Sequence, residues 1–374
     1  VKPHYEDEST TVYPGDCLAV LAELPDGSID AVVTDPPYNL SFMGAEWDSY
    51  EPAQFQQWCE TWAAECLRVL KPGGHMLAFG GSRTWHRLAS AIEDAGFEVR
   101  DSIAWLYGSG FPKSLNLPDG RGTALKPAFE PIVVGRKPLA GTVAQNVTEH
   151  GTGALNIDGC RIATSDKLTG SGSPPLRFKG ANSRPFHETA APRGANQHEA
   201  GRWPANVALD ESAAAELDQQ SGTRTSGLMR AGTPRANRGG YSGPMPTATG
   251  ADTYGDIGGA SRFFYTAKAS ADERPEVDGI RHPTVKPLSL MRWLVRLVTP
   301  PGGIVLDPFA GSGTTAEACV LEHLRCIAIE REASYLPLIV ARLTKPIAVG
   351  FDFEAEEKPT VPSESGDQYV MEVP

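Results

Sequence analysis

Apolar and polar positions along the first hundred residues alternate between two rhythms. Short runs that are continuously apolar or repeat every second residue predict strands: "TTVYP" from Thr10, "IDAVVT" from Ile29, "HMLAFGG" from His75 and "FEVRDSIAWLY" from Phe97. Between them, "CLAVLAELPDG" from Cys17, "FQQWCETWAAECLRVL" from Phe55 and "TWHRLASAIEDAG" from Thr84 predict helices. In the second of these, Phe55, Trp58, Trp62, Leu67 and Leu70 fall on one stripe, which assigns its aromatics to a core. "KPGG" at Lys71 to Gly74 then supplies the stop before the next strand. The alternation resumes near Arg262 with "RFFYTAKAS". There follows an amphipathic helix carrying Leu290, Met291, Leu294, Leu297 and Val298, and then a strand, a Gly-rich turn, a helix and a strand between Ile304 and Glu330. This order predicts an α/β fold with a mostly parallel sheet.

The middle of the chain loses both rhythms. Stretches such as "LTGSGSPPLRFKGANSRPFHETAAPRGANQ" are rich in Gly, Pro, Ser, Thr and Arg, and only "AFEPIVVGRKPL" and "RWPANVAL" look like strands, so the region predicts a loop-heavy lobe. Charge separates it further. From Asn116 to Ala269 there are 17 Lys+Arg against 13 Asp+Glu, whereas the chain as a whole carries −12. Gln219 to Ala251 holds Arg224, Arg230, Arg235 and Arg238 and no acid, a composition suited to phosphate contact. The stretch from Phe351 to Pro374 has seven acids against Lys358 alone.

With 374 residues and 40% hydrophobic content, the chain is long enough for a full core and a further lobe. No run reaches the length of a membrane span, and the polar start "VKPHYEDEST" has no signal-like apolar stretch, which predicts a cytoplasmic protein. The six cysteines lack CxxC spacing, so neither a metal site nor a disulfide framework is expected.

Two stretches carry candidate chemistry. Gly311 and Gly313 sit between a strand and a helix starting near Thr314, and Glu330 ends the following strand. Such a half-unit presents free backbone N–H groups and a carboxylate for ribose hydroxyls. It suits NAD enzymes, nucleoside-sulfonium enzymes and some purely structural turns. No Gly-Lys-Ser/Thr follows, so a P-loop is excluded. The second stretch is "VVTDPPYNL" from Val32, which sets an acid, two prolines and a tyrosine at a strand's end.

Together these motifs resemble the S-adenosylmethionine-dependent DNA amino-methyltransferases. "DPPY" at Asp35 to Tyr38 is similar to their catalytic motif, "DPFAGSGTT" at Asp307 to Thr315 to their cofactor motif, and "HPTVKP" at His282 to Pro287 to the segment preceding it. The catalytic motif comes first, as in the permuted beta class. The resemblance implies a doubly wound, Rossmann-like, circularly permuted sheet of seven strands. It divides the chain into a catalytic half (10–115), an inserted target-recognition region (116–260), a cofactor half (261–345) and an acidic tail (346–374).

The resemblance also implies site residues. Asp35, Pro36, Pro37 and Tyr38 would be catalytic, with Asp35 also bordering the cofactor. The Asp35 carboxylate and the Pro36 carbonyl would accept hydrogens from an exocyclic amine, and Tyr38 would stack on a base rotated out of the duplex. Phe309, Gly311, Ser312, Gly313 and Thr314 would line the cofactor, with Asp307 at the head of the motif and Glu330 on the ribose. Thr284 and Lys286 would approach the methionine carboxylate, and Asp16 and Cys17 would border the adenine. Asp16 also suits a helix cap. His282 is expected to be structural.

The implied partner is double-stranded DNA, with no metal and no membrane; the family includes homodimers. Cytosine C5 transfer requires a thiolate, usually after proline, and no cysteine here follows one. The Asp at the motif's head resembles adenine-specific members, with N4-cytosine as the alternative. An NAD-dependent oxidoreductase would use the glycines and Glu330 but leave the other motifs unexplained.

Overall fold

A computed structural model describes residues 1–40, 50–110, 114–164, 201–225, 257–268 and 273–345. Contacts group Val1–Leu343 into one unit. In chain order the first half forms β1 (Tyr5–Glu6), β2 (Thr10–Pro14), α1 (Cys17–Leu21), β3 (Ile29–Thr34), α2 (Pro52–Val69), β4 (Leu70–Phe79), α3 (Trp85–Asp94), β5 (Glu98–Leu106) and β6 (Phe129–Arg136). Next come α4 (Val143–His150), β7 (Val207–Asp210), α5 (Glu211–Ser221), β8 (Arg224–Thr225), β9 (Ile257–Gly258) and β10 (Tyr265–Ala267). The last part holds β11 (Glu276–Val277), β12 (Ile280–Arg281), α6 (Leu288–Val298), β13 (Ile304–Asp307), α7 (Thr314–Leu321), β14 (Arg325–Glu330) and α8 (Leu336–Leu343).

Among the described residues ten strands make one sheet, in the order β1-β2-β14-β13-β3-β4-β6-β5-β7-β10. The core of seven, β2 to β5 in that order, is parallel except for β6, which runs antiparallel to both β4 and β5. β7 and β10 extend one edge in parallel, and β1 adds an antiparallel strand at the other. Side chains alternate between two buried faces because both are covered. Val32, Met76, Ala78 and Val133 pack against α1, α2 and α3, while Ala31, Val33, Leu77, Phe79, Ile132 and Val134 share a cluster with α6, α7 and α8. All five apolar residues expected on α6 are buried.

Three local differences from the sequence reading have physical causes. α2 ends at Val69, and "KPGG" lies inside β4. Its backbone is claimed by the neighbouring segment: Asn146 Nδ2 donates to the Pro72 carbonyl at 2.8 Å, and Lys137 N to the Gly74 carbonyl at 2.8 Å. Leu70 therefore belongs to the strand. Phe55 and Trp62 are buried as expected, but the buried stripe of α2 continues through Cys59, Ala63, Cys66 and Val69, leaving Trp58 and Leu67 half-buried. Finally, β6 and β7, within the stretch read as insert, are strands of the main sheet. The apolar run Ile132–Val134 is buried on both faces there.

The motifs meet at one point of this sheet. β13 and β3 are 270 residues apart in sequence yet adjacent and parallel, with Leu306 opposite Val32. From β13 the chain winds through α7 to β14 on one side; from β3 it winds through α2 to β4 on the other. The carboxyl ends of these two strands thus flank a crevice where the winding reverses, the place where open α/β sheets take ligands.

Candidate active site

Asp35 to Tyr38 leave the end of β3 and form one wall of a cavity of about 520 Å³. Thr34 anchors this exit, its hydroxyl donating to Asp307 Oδ1 at 2.7 Å and so tying the two motif strands together. Asn39 then takes a left-handed conformation (φ 56°). Its side chain donates to the Tyr50 carbonyl at 2.9 Å and accepts from Tyr50 N at 2.6 Å, while Thr84 Oγ1 donates to the Tyr38 carbonyl at 2.6 Å. Two prolines with fixed φ and these three bonds hold the turn.

At its centre lies a group of charges that the sequence did not foretell. The Tyr38 hydroxyl donates to Asp35 Oδ1 at 2.6 Å and lies 3.2 Å from Glu130 Oε2. Lys286 Nζ is 2.8 Å from Asp35 Oδ2, 3.0 Å from Glu130 Oε2 and 3.0 Å from the Tyr38 hydroxyl. Lys286, expected near the cofactor's carboxylate, lines the cavity with its ammonium on the catalytic motif. Its stem is buried, and the two carboxylates outweigh that burial to push its pKa above the usual lysine range. Glu130 opens β6 opposite Trp105 on β5. Its only sequence signal was an acid at the head of an apolar strand, and nothing in that run names a partner 95 residues before it.

The opposite wall comes from β13, β14 and the turn between β13 and α7. Gly311 (φ 53°) and Gly313 (φ 80°) occupy backbone that side chains rarely adopt. A Cβ on Gly311 would also come within 3.0 Å of His282 Nε2. Gly311 N donates to Glu330 Oε2 at 2.7 Å, and Glu332 N to Glu330 Oε1 at 2.7 Å. Burial nevertheless pushes Glu330 up to about 7 and Asp307 up to about 6. Beneath the turn lies Arg342, fully buried in the apolar run of α8. It donates to the Ser312 carbonyl at 3.0 Å and pairs with Glu317, thereby joining the turn to α7 and α8. Periodicity alone could have flagged this arginine.

Most of the expected residues are brought to this cavity. Asp16, Cys17, Asp35, Pro36, Pro37, Tyr38, Thr284, Lys286, Asp307, Phe309, Gly311, Ser312, Thr314 and Glu330 all line it. Gly313 is not part of the wall; its Cα side faces Ile339 of α8. Asp16 also caps α1, accepting from Leu18 N at 2.9 Å, so both of its readings coexist. Cys17 is buried, and burial pushes its thiol up to about 12, so it offers no thiolate. His282 packs edge-on against Tyr335, 4.6 Å between ring centres, with Nδ1 bonded to the Thr284 carbonyl; burial lowers its pKa. Arg224 lies on β8, its Nε donating to the Ser221 carbonyl at 2.9 Å, away from the cavity wall. Arg230, Arg235 and Arg238, like the acidic stretch 346–374, fall outside the described residues.

The cavity fits the implied S-adenosylmethionine. An aromatic corner forms where Phe309 lies 5.5 Å from Trp58 and 5.4 Å from Trp62, with Tyr50 stacked on Trp58 at 5.7 Å; Tyr50, Trp58 and Phe309 line the cavity. Such a corner suits a purine. Glu330 retains lone pairs for ribose hydroxyls, since each carboxylate oxygen can accept twice. The cations at the wall are Lys286, Arg274 and Arg331, and with Lys286 committed to Asp35 the two arginines are left for a carboxylate. Among the described residues no group of three or more His, Cys, Asp or Glu side chains is arranged to hold a metal, and no helix is long and apolar enough to cross a membrane.

Comparison with known proteins bears on the fold and the family. The type II methyltransferase M.HindIII of Haemophilus influenzae is 22% identical over 385 residues, covering 89% of this chain and 94% of its own. M.HinfI, from the same species, is 27% identical over 120 residues, 28% of this chain. Among solved structures, the cytosine-N4-specific PvuII DNA methyltransferase shares the fold with a TM-score of 0.53 at 17% identity, covering 91% of this chain and 88% of that one. Residues 29–341, which include all three motifs, match the N6/N4 family of DNA methylases, and the chain belongs to that family.

Proposed function

We propose that this chain transfers a methyl group from S-adenosylmethionine to the N6 amine of adenine in double-stranded DNA, by direct transfer to a base rotated out of the helix. The observation that carries the reading is the Asp35 carboxylate standing at the carboxyl end of β3, in the same cavity as the Glu330 and Gly311 turn. The cofactor supplies a methyl activated on a sulfonium.

The chain's own groups supply the rest. An exocyclic amine is a poor nucleophile because its lone pair is delocalised into the ring. Asp35 and the Pro36 carbonyl each accept one amine hydrogen and draw the nitrogen toward a pyramidal form. Tyr38, its hydroxyl bonded to Asp35, lines the same cavity, where its ring would stack on the rotated base. Once the amine is alkylated, its extra proton leaves through Asp35 or water. The absence of a thiolate at Cys17 fits an amine acceptor better than cytosine C5. All six cysteines are free and buried, which fits a reducing cytoplasm.

The aspartate at the head of the motif favours adenine over N4-cytosine. Incubation with unmethylated genomic DNA and methyl-labelled S-adenosylmethionine, followed by nucleoside mass spectrometry, tests the assignment. Labelled N6-methyladenine is expected; labelled N4-methylcytosine would move the activity to the other amine.

A further inference from the structure

We propose that Lys286 and Glu130 act together as a positioning pair for Asp35: Glu130 anchors the ammonium, and the ammonium fixes the Asp35 carboxylate in its amine-accepting orientation. This rests on the amine-transfer reading above.

The geometry is specific. The Lys286 side chain is 10% exposed, with Nζ 4.8 Å from the Phe79 ring centre, 5.2 Å from that of Tyr38 and 6.0 Å from that of Trp105. This aromatic box leaves the ammonium little but the two carboxylates and the Tyr38 hydroxyl. Glu130 is fixed by its ladder position on β6, so it serves as a rigid post. Asp35, by contrast, sits on a turn, and each of its oxygens accepts one bond, Oδ1 from Tyr38 and Oδ2 from Lys286. One lone pair on each oxygen remains for an amine hydrogen.

Charge explains why a turn aspartate needs such a post. Asp35 is faced by Tyr38 from its own turn, Glu130 from β6, Asp307 from β13, and Lys286 and His282 from the segment before α6. Three of these five are acids, counting the phenol, and His282 is held toward its neutral form by burial. Lys286 is the cation among them. Without it, Asp35 and Glu130 would repel each other as like charges, and among the described residues only the Tyr38 hydroxyl would hold the Asp35 carboxylate in place. A carboxylate turned out of that orientation is a poorer acceptor for the amine.

The test is single-turnover methyl transfer to unmethylated genomic DNA over a range of methyl-labelled S-adenosylmethionine concentrations, which separates the saturated rate from cofactor affinity. It is run for the wild type, Lys286→Met, Glu130→Gln and the double variant. Lys286→Met is expected to bind cofactor as the wild type does and to react about tenfold or more slowly at saturation. The double variant should be no slower than Lys286→Met, because the two residues act through one contact. Glu130→Gln alone should also slow the saturated rate at unchanged cofactor affinity, and this arm stands if Lys286→Met does not fold. Equal saturated rates in all folded variants would overturn the pair's role. So would a Lys286→Met protein that loses cofactor affinity but keeps its rate at saturation, which would return the lysine to the cofactor's carboxylate. Absence of label with the wild type would instead overturn the amine-transfer reading itself.

Discussion

With Glu330 as the proposed ribose acceptor, cofactor binding should depend on pH by an amount that follows from its surroundings. Burial raises its pKa from 4.5 to about 7 in the free protein, against the two backbone N–H bonds that favour the ionised form. That change corresponds to about 3 kcal/mol opposing ionisation. Because the folded-state value is raised, the group's contribution to stability is complete below about pH 4.5 and is lost as pH rises through about 7. Ribose hydroxyls donate to a carboxylate and so select the ionised form. Between about pH 6 and pH 8 the ionised fraction rises from roughly one in ten to nine in ten, so affinity should increase roughly tenfold. Proton release on binding should be greatest near the lower end of that range.

Calorimetric titration in buffers of different ionisation enthalpy measures both quantities. The cofactor's own amine and Asp307, raised to about 6, also titrate, but both are retained in Glu330→Gln. The difference between the two proteins therefore isolates Glu330. The variant should bind more weakly at pH 8 and lose most of the pH slope. Equal slopes in the two proteins would refute the placement of Glu330 on the ribose.

Three further outcomes follow from the same structure. Arg342→Ala should destabilise the protein by ~3–5 kcal/mol, because Glu317 and the Ser312 carbonyl lose a buried donor, and chemical denaturation measures the loss. Gly313→Ala should cost ~1–2 kcal/mol, since φ is 80° and the new Cβ would lie 2.8 Å from Ile339 Cγ2; the thermal unfolding midpoint reports it. Replacing Arg224, Arg230, Arg235 and Arg238 by Ala should weaken DNA binding and reduce the slope of log affinity against log salt by about 0.9 for each phosphate contact removed. An unchanged slope would take that segment out of the interface.

The sequence made the strand and helix order of both halves legible because those elements are amphipathic or continuously apolar, and it located both motifs at strand ends. It also grouped Glu330 with Gly311, and both line the cavity, since a strand–turn–helix unit fixes their spacing locally. What it missed depends on contacts between distant segments. "KPGG" looks like a stop, and becomes strand only because Asn146 and Lys137 bond its backbone. Glu130 and Lys286 lie 95 and 251 residues after Asp35, and only the folded sheet brings all three together. Trp58 shares the helical stripe of Phe55 and Trp62, and its half-buried place at the cavity wall depends on Phe309 and Tyr50 packing against it.

Asp35 is proposed to prepare an amine of DNA for the methyl group of S-adenosylmethionine. The most direct measurement of this role compares wild type and Asp35→Ala, both saturated with methyl-labelled S-adenosylmethionine, by nucleoside mass spectrometry of unmethylated genomic DNA after a single turnover. Label on the adenine amine is expected with the wild type, and a rate reduced about 10²–10³-fold or more in the variant, with cofactor binding largely intact. Equal labelling by the two proteins would contradict that role.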